Sequence, residues 1–404
     1  MKNSILFAAL LFISIGLFAQ EIAQWRGPNR DGQYPDKDLL KEWPEEGPKM
    51  IWHYDDLGLG HGSAAVTKDA IFTSGTNSDG IGFVVALNHQ GEKLWQTSIG
   101  KEWMDNFEGV RSTPLVYGDH VYMMSSYGYL ACMERSDGSI VWNVDLFKEY
   151  GGRQIKWGVT ENLLIDGEKL FVTPGGEEHN VIALNKDSGK LIWTSKGNGE
   201  ISAYCSPLVI ERGATRLLVT QTAESILGLD AETGEVFWTF DHPNKYSVQP
   251  NTPTYKDGKV YIVSGYGKGG VQLQLSEDGK SVTELWRNTT LDDRHGGVVL
   301  VDGRIYGSGD KKSWHCLDWE TGEELYKSRM IKNGSIIYAD GLLYCYSDGG
   351  EVGIVDPKTN DFALISSFEV PLGEKFHWAH LVIYDQKLYL RHGTSLMVYD
   401  IAAN

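Results

Sequence analysis

Histidines and carboxylates near polar runs are the residues best suited to chemistry. His61, His377 and His380 carry imidazoles that could share a divalent cation. Asp105, Glu108 and Glu161 have the type required of a general base or a further ligand. Their spacing adds no support, because HxH and HExxH are both absent, and 11 histidines in 404 residues also group by chance. Trp378 and His380 alternate on one strand face, so only one of His377 and His380 is expected to point inward. No nucleophile motif is present: GxSxG is missing, and no S-x-x-K lies in a suitable context. The glycine-rich GYGKGG (265–270) lacks the GK[ST] ending of a phosphate loop and reads as a turn at a strand end.

Isolated groups of this kind act only where a scaffold brings them together, and here the scaffold is a repeat. LNHQGEKLW (87–95), MERSDGSIVW (133–142), LNKDSGKLIW (184–193), LDAETGEVFW (229–238) and LDWETGEELY (317–326) share one grammar. The closing aromatics stand at Trp52, Trp95, Trp142, Trp193, Trp238, Trp286 and Tyr326, a period of about 46 residues. Each interval holds alternating apolar runs separated by a two-residue turn such as Asp257–Gly258 or Asp302–Gly303. The pattern gives four strands per unit, which is the blade of a β-propeller.

Units begin near Gly62, Ser112, Gly158, Ser206, Thr252, Gly296 and Gly334, and an eighth begins at Ala379. The eighth ends after three strands, while Pro48–Gly58 carries Trp52 with no unit before it. The N-terminal strand is therefore expected to complete the last blade, which leaves no open edge on the ring. The fold class is all-β, an eight-bladed propeller over residues 48–404. Its seventh unit is degenerate, with no TG and no tryptophan, and Phe368 is the expected substitute. The repeated tryptophans and turn aspartates read as structural, not as ligands.

The first 19 residues combine Lys2 with an apolar run and read as a secretory signal peptide. Residues 20–47, rich in Pro, Gly and charge, read as an irregular arm laid over one face. An exported chain places Cys132, Cys205, Cys316 and Cys345 in an oxidising compartment, but all four sit in strand-like stretches, so buried thiols are favoured over bridges. The formal net charge of −17 argues against nucleic acid and against an anionic membrane surface. The mature chain has no apolar run long enough to span a bilayer, and a periplasmic or secreted monomer is expected.

The repeat A-L-x-x-x-[TS]-G-x-x-x-W resembles the pyrroloquinoline-quinone (PQQ) repeat family. QWRGPNRDG (24–32), TPGG (173–176) and HGGVVLVDGRIYG (295–307) are similar to a secreted PQQ-binding-like subgroup, itself related to the BamB propeller. The resemblance implies the eight-bladed ring and two uses for it. BamB-like members use the ring as a protein-binding scaffold. Quinoprotein alcohol dehydrogenases bind PQQ with calcium or a lanthanide, and many place a disulfide of adjacent cysteines against the quinone. This sequence has no adjacent cysteines, no haem-attachment CxxCH and no convincing counterpart of the metal set.

In such a ring the residues before each innermost strand converge on one channel mouth. They are His61, Arg111, Trp157, Tyr204, Asn251, His295, Asn333 and the run His377–His380, with Trp378 inward. Glu161 and the loop residues Trp103, Asp105, Glu108, Arg153, Gln249 and Arg294 lie nearby. An aromatic, polar mouth suits a small polar ligand or a protein or glycan partner. The expectation is an exported binding module, with a PQQ-and-metal oxidoreductase acting on an alcohol or sugar as the alternative. A water-lined channel with neither role also remains open.

Overall fold

The computed structural model describes residues 20–309 and 312–403, so the signal-peptide stretch lies outside the described residues. Eight antiparallel sheets follow one another along the chain. Blades 1 to 7 span residues 65–101, 115–145, 164–195, 208–241, 254–288, 298–328 and 334–369. Blade 8 is built from Val382–Tyr384, Lys387–His392 and Ser395–Asp400 and is closed by Lys49–Tyr54, which pairs antiparallel with Ser395–Asp400. The ring is thus an eight-bladed β-propeller with the expected closure.

The repeated aromatics form the seams between blades. The Trp142 indole donates to the Lys186 carbonyl of the next blade at 2.8 Å. Its ring lies so close to Gly189 that a Cβ there would meet it at 2.7 Å. The glycine of that turn is required twice, by its left-handed φ of 68° and by this approach. Trp95, Trp193 and Trp52 repeat the bond to Arg135, Ala231 and His89 carbonyls. Trp52 therefore joins blade 8 to blade 1.

Every outermost strand also bulges one residue before the aromatic position. The extra residue is apolar and turned outward, as at Leu94, Val141, Ile192, Leu285 and Leu325. A bulge interrupts the ladder at the rim and blunts edge-to-edge pairing.

In blade 7 the expected substitute Phe368 does fill the seam: a Cβ on Gly47 would meet it at 3.1 Å, and its ring lies 5.3 Å from that of Tyr399 in blade 8. By register, Ser366 and not Phe368 occupies the aromatic position, opposite Ile354. The arm packs on this blade: Trp43 donates its backbone N–H to Ser366 Oγ at 2.7 Å and its indole N–H to the Val352 carbonyl at 3.0 Å. Phe368 packs edge-on against Trp43.

The arm is more ordered than expected. Ile22–Ala23 pairs antiparallel with the inner strand Leu115–Tyr117 of blade 2. Gln33–Tyr34 pairs parallel with the inner strand Gly334–Ala339 of blade 7. Residues 24–32 therefore cross the channel from one blade to the other. The four cysteines are buried and unbridged, and no helix among the described residues is long and apolar enough to cross a membrane.

Candidate functional site

The arm converts the channel into a blind cavity of about 440 Å³, open at the end where the innermost strands begin. Each blade contributes at least one residue to its wall just before its inner strand, among them His61, Arg111, Trp157, Tyr204, Pro250, His295, Asn333 and Trp378. Trp25 of the arm supplies the floor, with its ring edge-on to His380 at 5.1 Å.

Two buried guanidinium groups hold the arm in place. Arg26 donates to the Val298 carbonyl at 2.5 Å and to the Gly296 carbonyl at 3.4 Å. Arg30 donates to the Leu163 and Asn162 carbonyls, both at 2.8 Å. The two anchors grip opposite sides of the ring, blade 6 and blade 3. Burial lowers the Arg30 pKa to about 10, and the nearby Glu161 opposes that shift. The group remains a cation at neutral pH.

Nine residues singled out in the sequence line the cavity: His61, Arg111, Trp157, Tyr204, Arg294, His295, Asn333, Trp378 and His380. Trp103, Asp105, Glu108, Arg153, Gln249 and His377 do not line it, nor do Asn251 and Glu161. Asn251 lies behind the wall, where its amide donates to the Val263 and Asp293 carbonyls at 3.2 and 3.1 Å. Glu161 is fully buried and accepts the Thr173 backbone N–H at 2.8 Å. Burial raises its pKa to about 8, against the pull of that bond and of Arg30. It is a buried structural carboxyl, not a mouth residue.

The three histidines are not brought together around a cation, and no group of three or more ligand-type side chains suits a metal among the described residues. His380 has both ring nitrogens engaged: Nδ1 faces the Arg26 guanidinium at 3.3 Å, and Nε2 faces the His295 carbonyl at 3.0 Å. Because Arg26 only donates, Nδ1 must accept, and the proton sits on Nε2. Burial and the Arg26 charge hold this imidazole neutral. His377 turns away to the Tyr346 hydroxyl at 2.7 Å and stacks on His392 at 3.6 Å. His61 and His380 both line the cavity, on separate partners.

The remaining geometry is a polar, aromatic cup. The Arg111 guanidinium donates to the Trp157 and Phe107 carbonyls. Trp157 donates its backbone N–H to the Tyr204 hydroxyl at 3.2 Å, so one chain of bonds ties blades 2, 3 and 4. Tyr204 adopts a left-handed φ of 71°, a strained backbone of the kind that clusters at functional sites. Trp378 stacks on Phe376 at 4.4 Å, and Phe107 packs against both to form one lip. Across the cup, Asp348 accepts from Asn333 at 2.9 Å and faces His295 Nε2 at 3.2 Å. It is the sole carboxylate lining the cavity among the described residues, against the cations Arg111, Arg294 and Lys312.

Trp25, Tyr266 and Asp348 line the cavity without having been singled out from sequence. Trp25 sits in the arm, and Tyr266 in the GYGKGG turn with a left-handed φ of 65°. Asp348 follows an inner hairpin of blade 7. A tryptophan followed by two arginines in QWRGPNR was the one available signal that the arm enters the ring.

A quinone–calcium centre finds little to hold it here. Both Asp348 oxygens already have partners, and the cysteines are buried apart from one another.

The profile of a family described as outer membrane protein assembly factor BamB matches residues 49–157. An outer membrane protein assembly factor BamB of Kangiella koreensis is 27% identical over 225 residues, covering 54% of this chain and 52% of the relative. The match thus spans about half of that relative's length. A quinoprotein alcohol dehydrogenase of Pseudomonas putida is 24% identical over 254 residues, covering 59% of this chain and 38% of the relative. The crystal structure of BamB from Moraxella catarrhalis superposes with a TM-score of 0.60 at 17% identity, covering 88% of this chain and 98% of that one. With its repeat and its eight-bladed ring, the chain has the fold of these propellers and is similar in sequence to PQQ-repeat proteins.

Proposed function

We propose that the chain is an exported binding module, periplasmic or secreted, that takes a small polar ligand in the channel mouth. The observation that carries this reading is the arm. Trp25 closes the channel, and a dead-ended cup of about 440 Å³ has the size and aromatic walls of a small-molecule site. Trp25, Trp157 and Trp378 all line that cup, so occupancy is visible in intrinsic fluorescence. Titration with a panel of sugars, organic acids and quinones is expected to give one saturable quench. Trp378→Ala or Arg111→Ala is expected to weaken it at least tenfold, about 1.4 kcal/mol. A panel that leaves both wild-type fluorescence and melting temperature flat sinks the reading.

The similarity to BamB supports a second use of the same rim, as a docking face for a protein partner. The similarity to the quinoprotein dehydrogenase supports the alternative of an oxidoreductase acting on an alcohol or sugar. The lining residues argue against a PQQ–calcium centre, for want of a free carboxylate set and vicinal cysteines. A shifted quinone absorbance on titration with PQQ and calcium, with dye reduction on adding an alcohol, would replace the binding reading by the enzymatic one.

A further inference from the structure

The crossing stretch of the arm is held at few points. Its flanking strands, Ile22–Ala23 and Gln33–Tyr34, pair through two residues each. Between them Arg26 and Arg30 both adopt left-handed backbone, with φ of 62° and 60°. Such backbone is strained for a residue with a side chain and persists only where its surroundings enforce it. The two buried guanidinium groups supply that enforcement. Arg26 fills a socket cleared by two glycines, since a Cβ on Gly32 or on Gly297 would collide with its guanidinium.

His380 closes that socket. Its Nδ1 lies 3.3 Å from Arg26 Nη1, its Nε2 lies 3.0 Å from the His295 carbonyl, and its ring stands edge-on to Trp25. Only the neutral ring fits. A proton on Nδ1 would point at a group that cannot accept, and would set two cations side by side away from water. The neighbouring charges do not offset this. The arm brings Asp31, which favours the Arg26 charge, and blade 6 brings Asp293 and His295. Asp293 already accepts the backbone N–H groups of His295 and Gly296. Burial raises its pKa to about 6, so its support of Arg26 fades in acid. Blade 1 meets His380 through Ser63 Oγ, and blade 7 bonds the adjacent Ala379 carbonyl through the Ser335 hydroxyl; neither is charged.

We propose that the arm is an acid-released strap: protonation of His380 expels Arg26 from its socket, the crossing stretch lifts, and Trp25 leaves the floor of the cup. Burial and the Arg26 charge hold the His380 pKa well below 6.5 while the arm is closed. On release the ring regains its ordinary value, so the closed form loses ground as pH falls below 6.5, by up to about tenfold per pH unit. The strap rests on the small-ligand reading only for what its release does to a bound solute. Its movement is read with the cup empty, so the two readings fail separately.

The decisive measurement is hydrogen exchange of the full mature chain at pH 7 and pH 5, read by mass spectrometry and corrected for the intrinsic rate at each pH. Amides of residues 22–34 are expected to lose at least tenfold in protection at pH 5, while Lys49–Tyr54 and Ser395–Asp400 keep theirs. His380→Gln offers Arg26 an acceptor that does not titrate, and is expected to abolish the difference. Arg26→Gln empties the socket from the side of the arm, and serves if His380→Gln fails to fold. Its arm is expected to exchange at pH 7 as fast as the wild-type arm does at pH 5. An arm equally protected at both pH values overturns the proposal. So does an equal fall in His380→Gln, or a loss shared by every strand of the ring.

Discussion

Arg26, Arg30 and Arg391 are buried cations that bind carbonyls, with no carboxylate ion pair among the described residues. Arg391 donates to the Gly62 and Ser74 carbonyls of blade 1 at 3.1 and 2.5 Å from its place in blade 8. It reinforces from the inside the closure that Trp52 makes from the outside. Arg391→Met is expected to cost about 3 kcal/mol in urea unfolding, because it strands buried carbonyls. Glu161 gives a pH signature. Its folded pKa of about 8 lies above its ordinary value of 4.5, so the folded state keeps a proton that the unfolded chain releases. That contribution is complete below pH 4.5 and is lost as pH rises toward 8. Glu161→Gln keeps the acceptor for Thr173 without the ionisation, and is expected to flatten the fall in the urea midpoint between pH 5 and 8. A greater loss in the variant at pH 8 would mean that Glu161 works as an anion beside Arg30. His61 acts in the opposite sense: its folded pKa of about 3 makes stability fall as pH drops below 6.5. Much at this scale was legible in sequence, because the start of each inner strand predicts a wall position. Asn251 and Glu161 were misplaced because strand periodicity does not say which of two adjacent loop residues turns inward.

At the scale of elements, the seam between blades is an indole laid on a turn glycine. Trp193→Ala removes a buried ring and its bond to Ala231, and is expected to destabilise by about 3–5 kcal/mol. Gly234→Ala acts on the same seam from the other side. Its φ of 77° is strained for alanine, and the added Cβ would lie 2.4 Å from the Trp193 ring. Its cost is therefore expected to exceed the roughly 1 kcal/mol typical of a lost turn glycine, measured as a shift in melting temperature. These seams were readable from spacing alone, since the xTGx turn and the aromatic recur together. The arm was not readable. Its crossing depends on pairings with Leu115–Tyr117 and Gly334–Ala339 that lie far along the chain. A Pro- and Gly-rich composition carries no trace of such partners. Trp43 was equally hidden, because its partners Ser366 and Val352 lie far along the chain.

The molecule as a whole is an acidic ring with a cationic cup. A net charge of −17 repels anions at long range, while Arg111, Arg294 and Lys312 attract them at the mouth. An anionic ligand is therefore expected to associate faster as salt rises and screens the global field. A stopped-flow series in sodium chloride from about 10 to 150 mM spans Debye lengths from roughly 30 to 8 Å and reads this directly. A neutral ligand would show no such slope.

Closure of the ring has a consequence in time. Lys49–Tyr54 is synthesised early yet finds its partner only in Ser395–Asp400. Trp25 is earlier still, and its resting place needs blades 2, 3, 6 and 7 already assembled around it. The last step of assembly is thus the return of the beginning of the chain, which both latches the ring and lays the cavity floor. An unfinished propeller holds no cup, so ligand binding reports on completed molecules alone, a quality check written into the order in which the polypeptide is threaded.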